Sequence, residues 1–177
     1  MVKKLKGELV KQRVRLEKSS NPSLFNSLVS KSLFGTNVGE DVFLNLFESI
    51  YLINKSNLEI FNKGKLVSPT DLMKIGLRKD KLFFEKSLVF SHLRKLGYFL
   101  RPGLKYGSDF LIYDKKTDLF SGHSKWVLKV FLNTSKISAS DFSANARVSN
   151  SVRKKFLIAF VDNDLRITFF ETGWIKL

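Results

Sequence analysis

The stretch His92–Asp114, HLRKLGYFLRPGLKYGSDFLIYD, decides how the second half of the chain folds. Its first residues end a helix that begins near Leu82, because apolar residues recur at helical spacing as far as Leu96. Gly97 ends this helix, and the strands YFLRP and SDFLIYD follow it with glycines between them. The stretch therefore predicts a helix that leads into two strands.

The rest of the chain completes this pattern on both sides. SKWVLKVFLN is a third strand, SANARVSNSVRKKFLIAFVD joins a helix to a buried strand, and LRITFFETGWIKL is the last strand. This order predicts a mixed β-sheet flanked by helices over residues 81–177. Residues 1–80 predict a small N-terminal domain of helices and strands, so the fold class is α+β with two domains.

Local signals divide the N-terminal domain further. The first 18 residues alternate apolar and basic side chains. They indicate either a strand pair with Gly7 at a turn or bulge, or a basic RNA-binding arm. We expect a helix over residues 40–50 that runs into a strand over 51–54, then a tight turn at 62–65. Ser68 is the predicted N-cap of the next helix.

The charge of the chain indicates a polyanionic partner. Its 177 residues contain 31 Lys and Arg against 16 Asp and Glu, a formal net charge of +15. A basic surface that neutralises phosphates releases counterions, which favours nucleic acid as the partner. An anionic membrane and a purely solubilising surplus are the alternatives, although no segment has a clean amphipathic pattern for membrane binding.

The absence of cysteine restricts the chemistry. A chain with no cysteine cannot form disulfides, zinc–thiolate sites or a thiol nucleophile. The start of the chain lacks the apolar segment of a signal peptide, and no run reaches the roughly 20 apolar residues that span a bilayer. We therefore expect a cytoplasmic protein.

Three side chains are candidates for acid–base chemistry. His123 lies in the polar turn FSGHS before a strand, whereas His92 lies on a helix and is expected to be a surface or packing residue. Tyr113 ends the strand FLIY, and a hairpin loop over 114–120 would bring it beside His123. Lys154 lies near a helix end, where a solvated basic residue that complements the helix dipole is the simpler interpretation.

The sequence offers little for a metal-dependent reaction. HExxH and GxSxG patterns are absent, and no Glu-x-Lys follows Asp109 on the next strand, as a metal-dependent nuclease of the restriction type would require. A two-metal site therefore lacks its ligands, and we expect no metal or other cofactor.

Three separated blocks of residues 82–177 resemble the catalytic domain of the tRNA-intron endonucleases. The blocks are HLRKLGYFLRPGLKYGSDFLIYD, GHSKWVLKV and NARVSNSVRKKFLIAFVD, in that order. The resemblance implies a restriction-endonuclease-like fold and an archaeal-type enzyme whose catalytic residues are Tyr113, His123 and Lys154. Tyr106 and Lys155 are the local alternatives to the tyrosine and the lysine, and Asp109 matches a position that is structural.

The resemblance also implies a reaction that needs no metal. Such enzymes cut precursor tRNA at a bulge–helix–bulge and leave a 2′,3′-cyclic phosphate and a 5′-hydroxyl. Tyr113 would take the proton of the attacking 2′-hydroxyl, and His123 would protonate the leaving 5′-oxygen. Lys154 would stabilise the transition-state charge and help to lower the pKa of the tyrosine.

RNA contacts and assembly follow from the same resemblance. The family grips a bulged base between flat side chains. The positions expected to contact RNA here are Arg147, Arg153 and Trp174. Asp162 and Asp164 mark an acidic loop that docks on a neighbouring subunit. The resemblance implies a tetramer, and the high charge favours two catalytic plus two structural subunits over four identical ones. The alternatives are a non-catalytic RNA-positioning subunit and a metal-dependent nuclease on a similar fold.

Overall fold

The computed structural model describes residues 4–173 and divides into two compact units, Met1–Ser87 and Leu88–Leu177. The first unit contains strands β1 (Leu5–Val10), β2 (Arg13–Glu17), β3 (Thr36–Val38), β4 (Asp41–Leu44), β5 (Leu58–Asn62) and β6 (Lys65–Val67). Its helices are α1 (Pro22–Asn26), followed by one π-helical turn, α2 (Leu46–Asn54) and α3 (Pro69–Leu77). The strands form one sheet in the order β3-β4-β2-β1-β5-β6.

Residues 5–17 form the expected strand pair. β1 and β2 are antiparallel neighbours, and the turn between them is at Lys11 and Gln12. The prediction of a turn or bulge at Gly7 is wrong, because Gly7 lies within β1 opposite Leu16. A Cβ atom at this position would lie 2.6 Å from Cγ1 of Val14, so only glycine lets the two strands pack this closely.

The expected helix over residues 40–50 and strand over 51–54 occur in the reverse order. The strand is β4 and the helix is α2. The side chain of Asn45 accepts the N–H of Glu48 at 2.9 Å, and the carboxylate of Glu48 accepts the N–H of Asn45 at 2.9 Å. This capping box starts the helix at Leu46 and leaves the preceding residues in the sheet.

The second unit has the predicted mixed sheet flanked by helices. Its elements are most of α4 (Phe83–Lys95), then β7 (Phe99–Pro102), β8 (Phe110–Tyr113), α5 (Lys116–Ser121), β9 (Trp126–Leu132), α6 (Ala139–Ser151), β10 (Lys155–Val161) and β11 (Ile167–Thr172). The sheet order is β11-β10-β9-β8-β7, with β9 and β10 parallel and the other pairs antiparallel. Within residues 4–173, no helix is long and apolar enough to cross a membrane.

The core of the second unit forms between α4 and the middle of the sheet. Phe90 of α4 and Phe110 of β8 are each 1% exposed, and their ring centroids are 5.8 Å apart. Ile112 and Leu128 are equally buried on the neighbouring strands. This packing holds β8 and β9 in a fixed register at the ends where the candidate residues lie.

We predict that Glu48→Ala destabilises the protein far more than Glu59→Ala. Glu48 is 2% exposed and also accepts the N–H of Gly35 at 3.1 Å. Its loss leaves two N–H donors without their acceptor, which costs about 2–4 kcal/mol of unfolding free energy. Glu59 only pairs with Lys4 near the surface, at 3.4 Å, so its loss costs less than about 1 kcal/mol. Equal shifts of the denaturation midpoint would contradict this assignment.

Candidate active site

Three strands of the second unit meet at one edge of the sheet. β8 runs towards this edge, whereas β9 and β10 both begin there, because Trp126 lies opposite Ile112 on one side and Lys155 on the other. Neighbouring strands are about 4.8 Å apart, so the ends of β8 and β10 are separated by about 10 Å. The residues at or next to these three strand ends include Tyr113, His123 and Lys154.

Lys154 lies directly before β10 and contacts the segment that precedes β9. Its Nζ donates a hydrogen bond to the carbonyl oxygen of Ser124 at 3.2 Å, and Ser124 directly follows His123. The same ammonium lies 6.0 Å from the ring centroid of Tyr106. Partial burial lowers the pKa of Lys154. The ammonium is therefore held beside the histidine segment and one of the two candidate tyrosines.

The neighbouring lysine has a different environment. Lys155 is the first residue of β10 and forms an ion pair with Glu171 on β11. Glu171 also accepts a hydrogen bond from Nε1 of Trp126 at 2.7 Å. These hydrogen bonds to Lys155 and Trp126 lower the pKa of the Glu171 carboxyl group. Because Lys155 already neutralises a carboxylate, Lys154 is the better candidate for binding an anion.

Tyr113 is almost completely buried, at 5% exposure. This burial raises the pKa of its phenol, and the charge of Arg101 partly opposes the increase. Arg101 lies on β7, where Phe99 is opposite Tyr113 and Arg101 is two residues further along the same face. From the sequence, Lys154 was expected to lower the pKa of the phenol, and Arg101 was not identified. The alternation of strand YFLRP places Arg101 on the same face as Phe99 and could have indicated it.

Tyr106 is the second candidate tyrosine, and it is close to Lys154. It lies in the short 3₁₀ turn Leu104–Tyr106 between β7 and β8 and is half-buried. Its proximity to Tyr113 raises the pKa of the Tyr113 phenol. Tyr106 thus has contacts with Lys154 and an electrostatic effect on Tyr113, which makes it a lining residue of the candidate site as well as an alternative base.

His123 is exposed on a rigid support. The connection that was predicted as a hairpin loop contains the short helix α5, which ends at Gly122 in a left-handed conformation (φ +74°). The backbone N–H of His123 then donates to the carbonyl of Asp118 at 2.9 Å. The backbone is fixed while the imidazole faces solvent, so a bound molecule can reach it.

Asp109 supports the sheet. Its carboxylate accepts the N–H of Val130 at 2.8 Å, and its own N–H donates to the carbonyl of Leu128 at 2.9 Å. These bonds agree with the structural role expected of this residue. Over residues 4–173, no group of three or more His, Asp or Glu side chains is close enough together to hold a metal ion.

The residues expected to contact RNA lie around α6. Arg147 is exposed on this helix, and Arg153 is exposed directly after it with φ +55°. Both guanidinium groups are thus accessible in the unit that carries Lys154. Trp174 lies outside the described residues.

Arg166 partly neutralises the predicted docking loop. Nε of Arg166 lies 3.4 Å from Oδ2 of Asp162, and the same guanidinium pairs with Asp164. The backbone N–H of Arg166 also donates to Asp162 at 2.8 Å. One guanidinium against two carboxylates leaves these three side chains with a formal net charge of −1, which is half of what the two carboxylates alone would present.

Comparison with known proteins gives the same family for both units. Residues 5–73 match the model of the tRNA intron endonuclease N-terminal domain, and residues 83–169 match that of its catalytic C-terminal domain. A tRNA-splicing endonuclease of Thermococcus gammatolerans is 34% identical over 158 residues, which are 89% of this chain and 92% of the relative. The tRNA-splicing endonuclease of Methanothermobacter thermautotrophicus is 31% identical over 173 residues, 98% and 99% of the two chains.

We predict that Arg101→Gln raises the pKa of the Tyr113 phenol further. The arginine stabilises the phenolate, so its removal shifts ionisation to higher pH. Ultraviolet absorbance of tyrosinate during a pH titration measures this, after subtraction of the signal from Tyr113→Phe. The exposed Arg147→Gln is the matched control and is expected to leave the titration unchanged. If Arg101→Gln leaves the pKa of Tyr113 unchanged, the arginine has no electrostatic effect on the phenol.

Proposed function

This chain belongs to the tRNA intron endonuclease family, and on that premise we propose how its catalytic residues cut precursor tRNA. It is a tRNA-splicing endonuclease with the catalytic C-terminal domain. We propose that Tyr113, His123 and Lys154 act together on one phosphodiester. The observation that carries this proposal is the Nζ–carbonyl bond of 3.2 Å that holds Lys154 beside the His123 segment.

Cleavage begins with attack of a ribose 2′-hydroxyl on the adjacent phosphorus. Tyr113 accepts the 2′-hydroxyl proton as the new P–O bond forms. An ordinary phenol with a pKa of about 10 is ionised in only about one molecule per thousand at pH 7. Burial raises the pKa of Tyr113 beyond that, so the positive charge of Arg101 is important for the base. The attack produces a 2′,3′-cyclic phosphate.

The departing 5′-oxygen needs a proton. His123 is suited to donate it, because its imidazole is exposed while its backbone is fixed by the bond to Asp118. The bond from phosphorus to the 5′-oxygen breaks as this proton transfers, and a 5′-hydroxyl is released. Each cleavage thus adds one proton to Tyr113 and removes one from His123. Proton exchange with water then restores both residues.

Lys154 stabilises the negative charge that develops on the phosphorane-like transition state. A part-buried ammonium interacts more strongly with such a charge than one surrounded by water. Arg147 and Arg153 supply exposed guanidinium groups for bulged bases and phosphates of the RNA. The expected stacking role of Trp174 belongs to the same proposal.

We propose that the active assembly is a tetramer of two such chains and two more acidic structural subunits. Four identical chains would each contribute a formal charge of +15, and this charge opposes their association. The loop with Asp162 and Asp164 does little to offset it, because Arg166 pairs with both carboxylates.

We also propose that the boundary between the two domains lies near residue 80 and that the protein is cytoplasmic. The boundary lies between the segments 5–73 and 83–169 that match the two domain families. The location accords with a chain of 177 residues that has no cysteine and so forms no disulfide, because disulfides are rare in a reducing compartment.

We predict that His123→Ala slows single-turnover cleavage of precursor tRNA by at least about 100-fold while RNA affinity stays near the original value. The matched control is His92→Ala, which removes the other histidine of the chain. His92 lies on α4, with its ring 5.9 Å from that of Phe169, and its loss is expected to leave cleavage near the original rate. An unchanged cleavage rate in His123→Ala would refute the role of His123 as the acid. Separately, if excess chelator abolishes cleavage by the unmodified protein, the reaction is not metal-independent.

We predict that the purified chain alone, measured by light scattering at physiological salt, has a mass below that of four copies. The mutual repulsion of strongly basic chains is the physical reason. Addition of an acidic structural subunit is expected to give the mass of two copies of each. A stable homotetramer of the isolated chain would contradict the proposed composition.

A further inference from the structure

A basic groove lies in the first unit, which contains no residue assigned to the reaction. It has a volume of about 490 Å³ and is formed by the turn between β1 and β2, the hairpin of β3 and β4, and the residues after α3. Its charged side chains are all cations, and these are Lys11, Arg13 and Lys79. The amide of Gln12 lies between the first two and adds further hydrogen-bond donors.

These three cations have no carboxylate partner among residues 4–173, and the groove lining contains none. Some other cations of the same unit are paired. Arg15 lies 2.7 Å from Glu8, and Lys86 lies 2.6 Å from Asp80. A cluster of unpaired positive charges is unfavourable by itself, because the charges repel one another. An anion in the groove would remove this repulsion.

The charge of the whole unit agrees with a polyanionic ligand. Residues 1–87 contain 16 Lys and Arg against 9 Asp and Glu, a surplus of seven. The residues proposed for the reaction all lie in the other unit, so the reaction does not account for this surplus. The groove also has an apolar side, formed by the half-buried Phe43 and by Val38, which is 50% exposed. Sugar and base surfaces between phosphates can pack against such residues.

We propose that this basic groove binds backbone phosphates of precursor tRNA other than the phosphate that is cut. This inference rests on the proposed function, because that function supplies the RNA. RNA is favoured over the acidic loop of a second copy of this chain, because Arg166 pairs with both carboxylates of that loop. The groove contributes affinity and orientation, and the bond-breaking steps remain with the second unit.

The test compares two triple variants by titration with full-length precursor tRNA over a series of salt concentrations. The groove variant is Lys11→Gln, Arg13→Gln and Lys79→Gln. The control variant is Lys55→Gln, Lys63→Gln and Lys65→Gln, which removes the same charge from exposed positions of the same unit outside the groove. The groove variant is expected to bind at least about tenfold more weakly, with a log–log salt slope smaller by about 2–3. The control variant is expected to keep nearly the original affinity and slope.

A single variant guards against misfolding. Lys79→Gln changes an exposed residue outside the strands, and its salt slope is expected to fall by about 0.9. Equal affinity and slope for the groove and control variants, or no slope change in Lys79→Gln, would overturn the proposal. A changed assembly mass with unchanged RNA affinity would also overturn it and assign the groove to a protein partner.

Cleavage of a short bulge–helix–bulge RNA separates this inference from the proposed function. The groove variant is expected to cut this RNA at the original single-turnover rate when enzyme is saturating. Failure of the proposed assembly with the unmodified chain to cut either RNA would count against the proposed function itself. If the unmodified protein cuts normally and the two triple variants bind RNA identically, the proposal for the groove is overturned and the proposed function stands.

Discussion

The candidate site depends on how three neighbouring strands are paired. β9 is antiparallel to β8 and parallel to β10, so the C-terminal end of β8 and the N-terminal ends of β9 and β10 lie at one edge. Residues that are 41 positions apart in the chain, Tyr113 and Lys154, thereby come within about two strand spacings of each other. α6 makes the parallel pairing possible, because a parallel neighbour requires a long crossover.

The tyrosine at this edge is under two opposing influences. Its burial disfavours the phenolate, whereas the guanidinium of Arg101 favours it. Burial dominates before RNA binds, so the phenol is protonated and holds no buried charge in the resting protein. Each further unit of pKa that a cation removes is equivalent to about 1.4 kcal/mol. The electrostatic surroundings of this one hydroxyl are therefore a sensitive control on the proposed reaction.

The sequence predicted the sheet of the second unit because its strands and helices alternate clearly and are separated by glycine or polar turns. The prediction was weakest in the first unit, at the boundary between β4 and α2. Apolar residues lie on both sides of Asn45 there, and only the reciprocal bonds of Asn45 and Glu48 decide where the helix starts. Arg101 and the basic groove were missed for a different reason. The alternation of YFLRP indicates the face on which Arg101 lies, but only the pairing of β7 with β8 places that face beside Tyr113. The groove combines residues of separate elements, and local patterns do not indicate that these elements come together.

The bond between Lys154 and the carbonyl of Ser124 has a consequence for turnover. A lysine side chain that moves freely in water loses up to about 2 kcal/mol of rotational entropy when it becomes fixed. Here the chain itself immobilises the four-carbon arm while it folds, long before any substrate is present. That cost is thus incurred once in the lifetime of the molecule, and successive catalytic cycles do not repeat it.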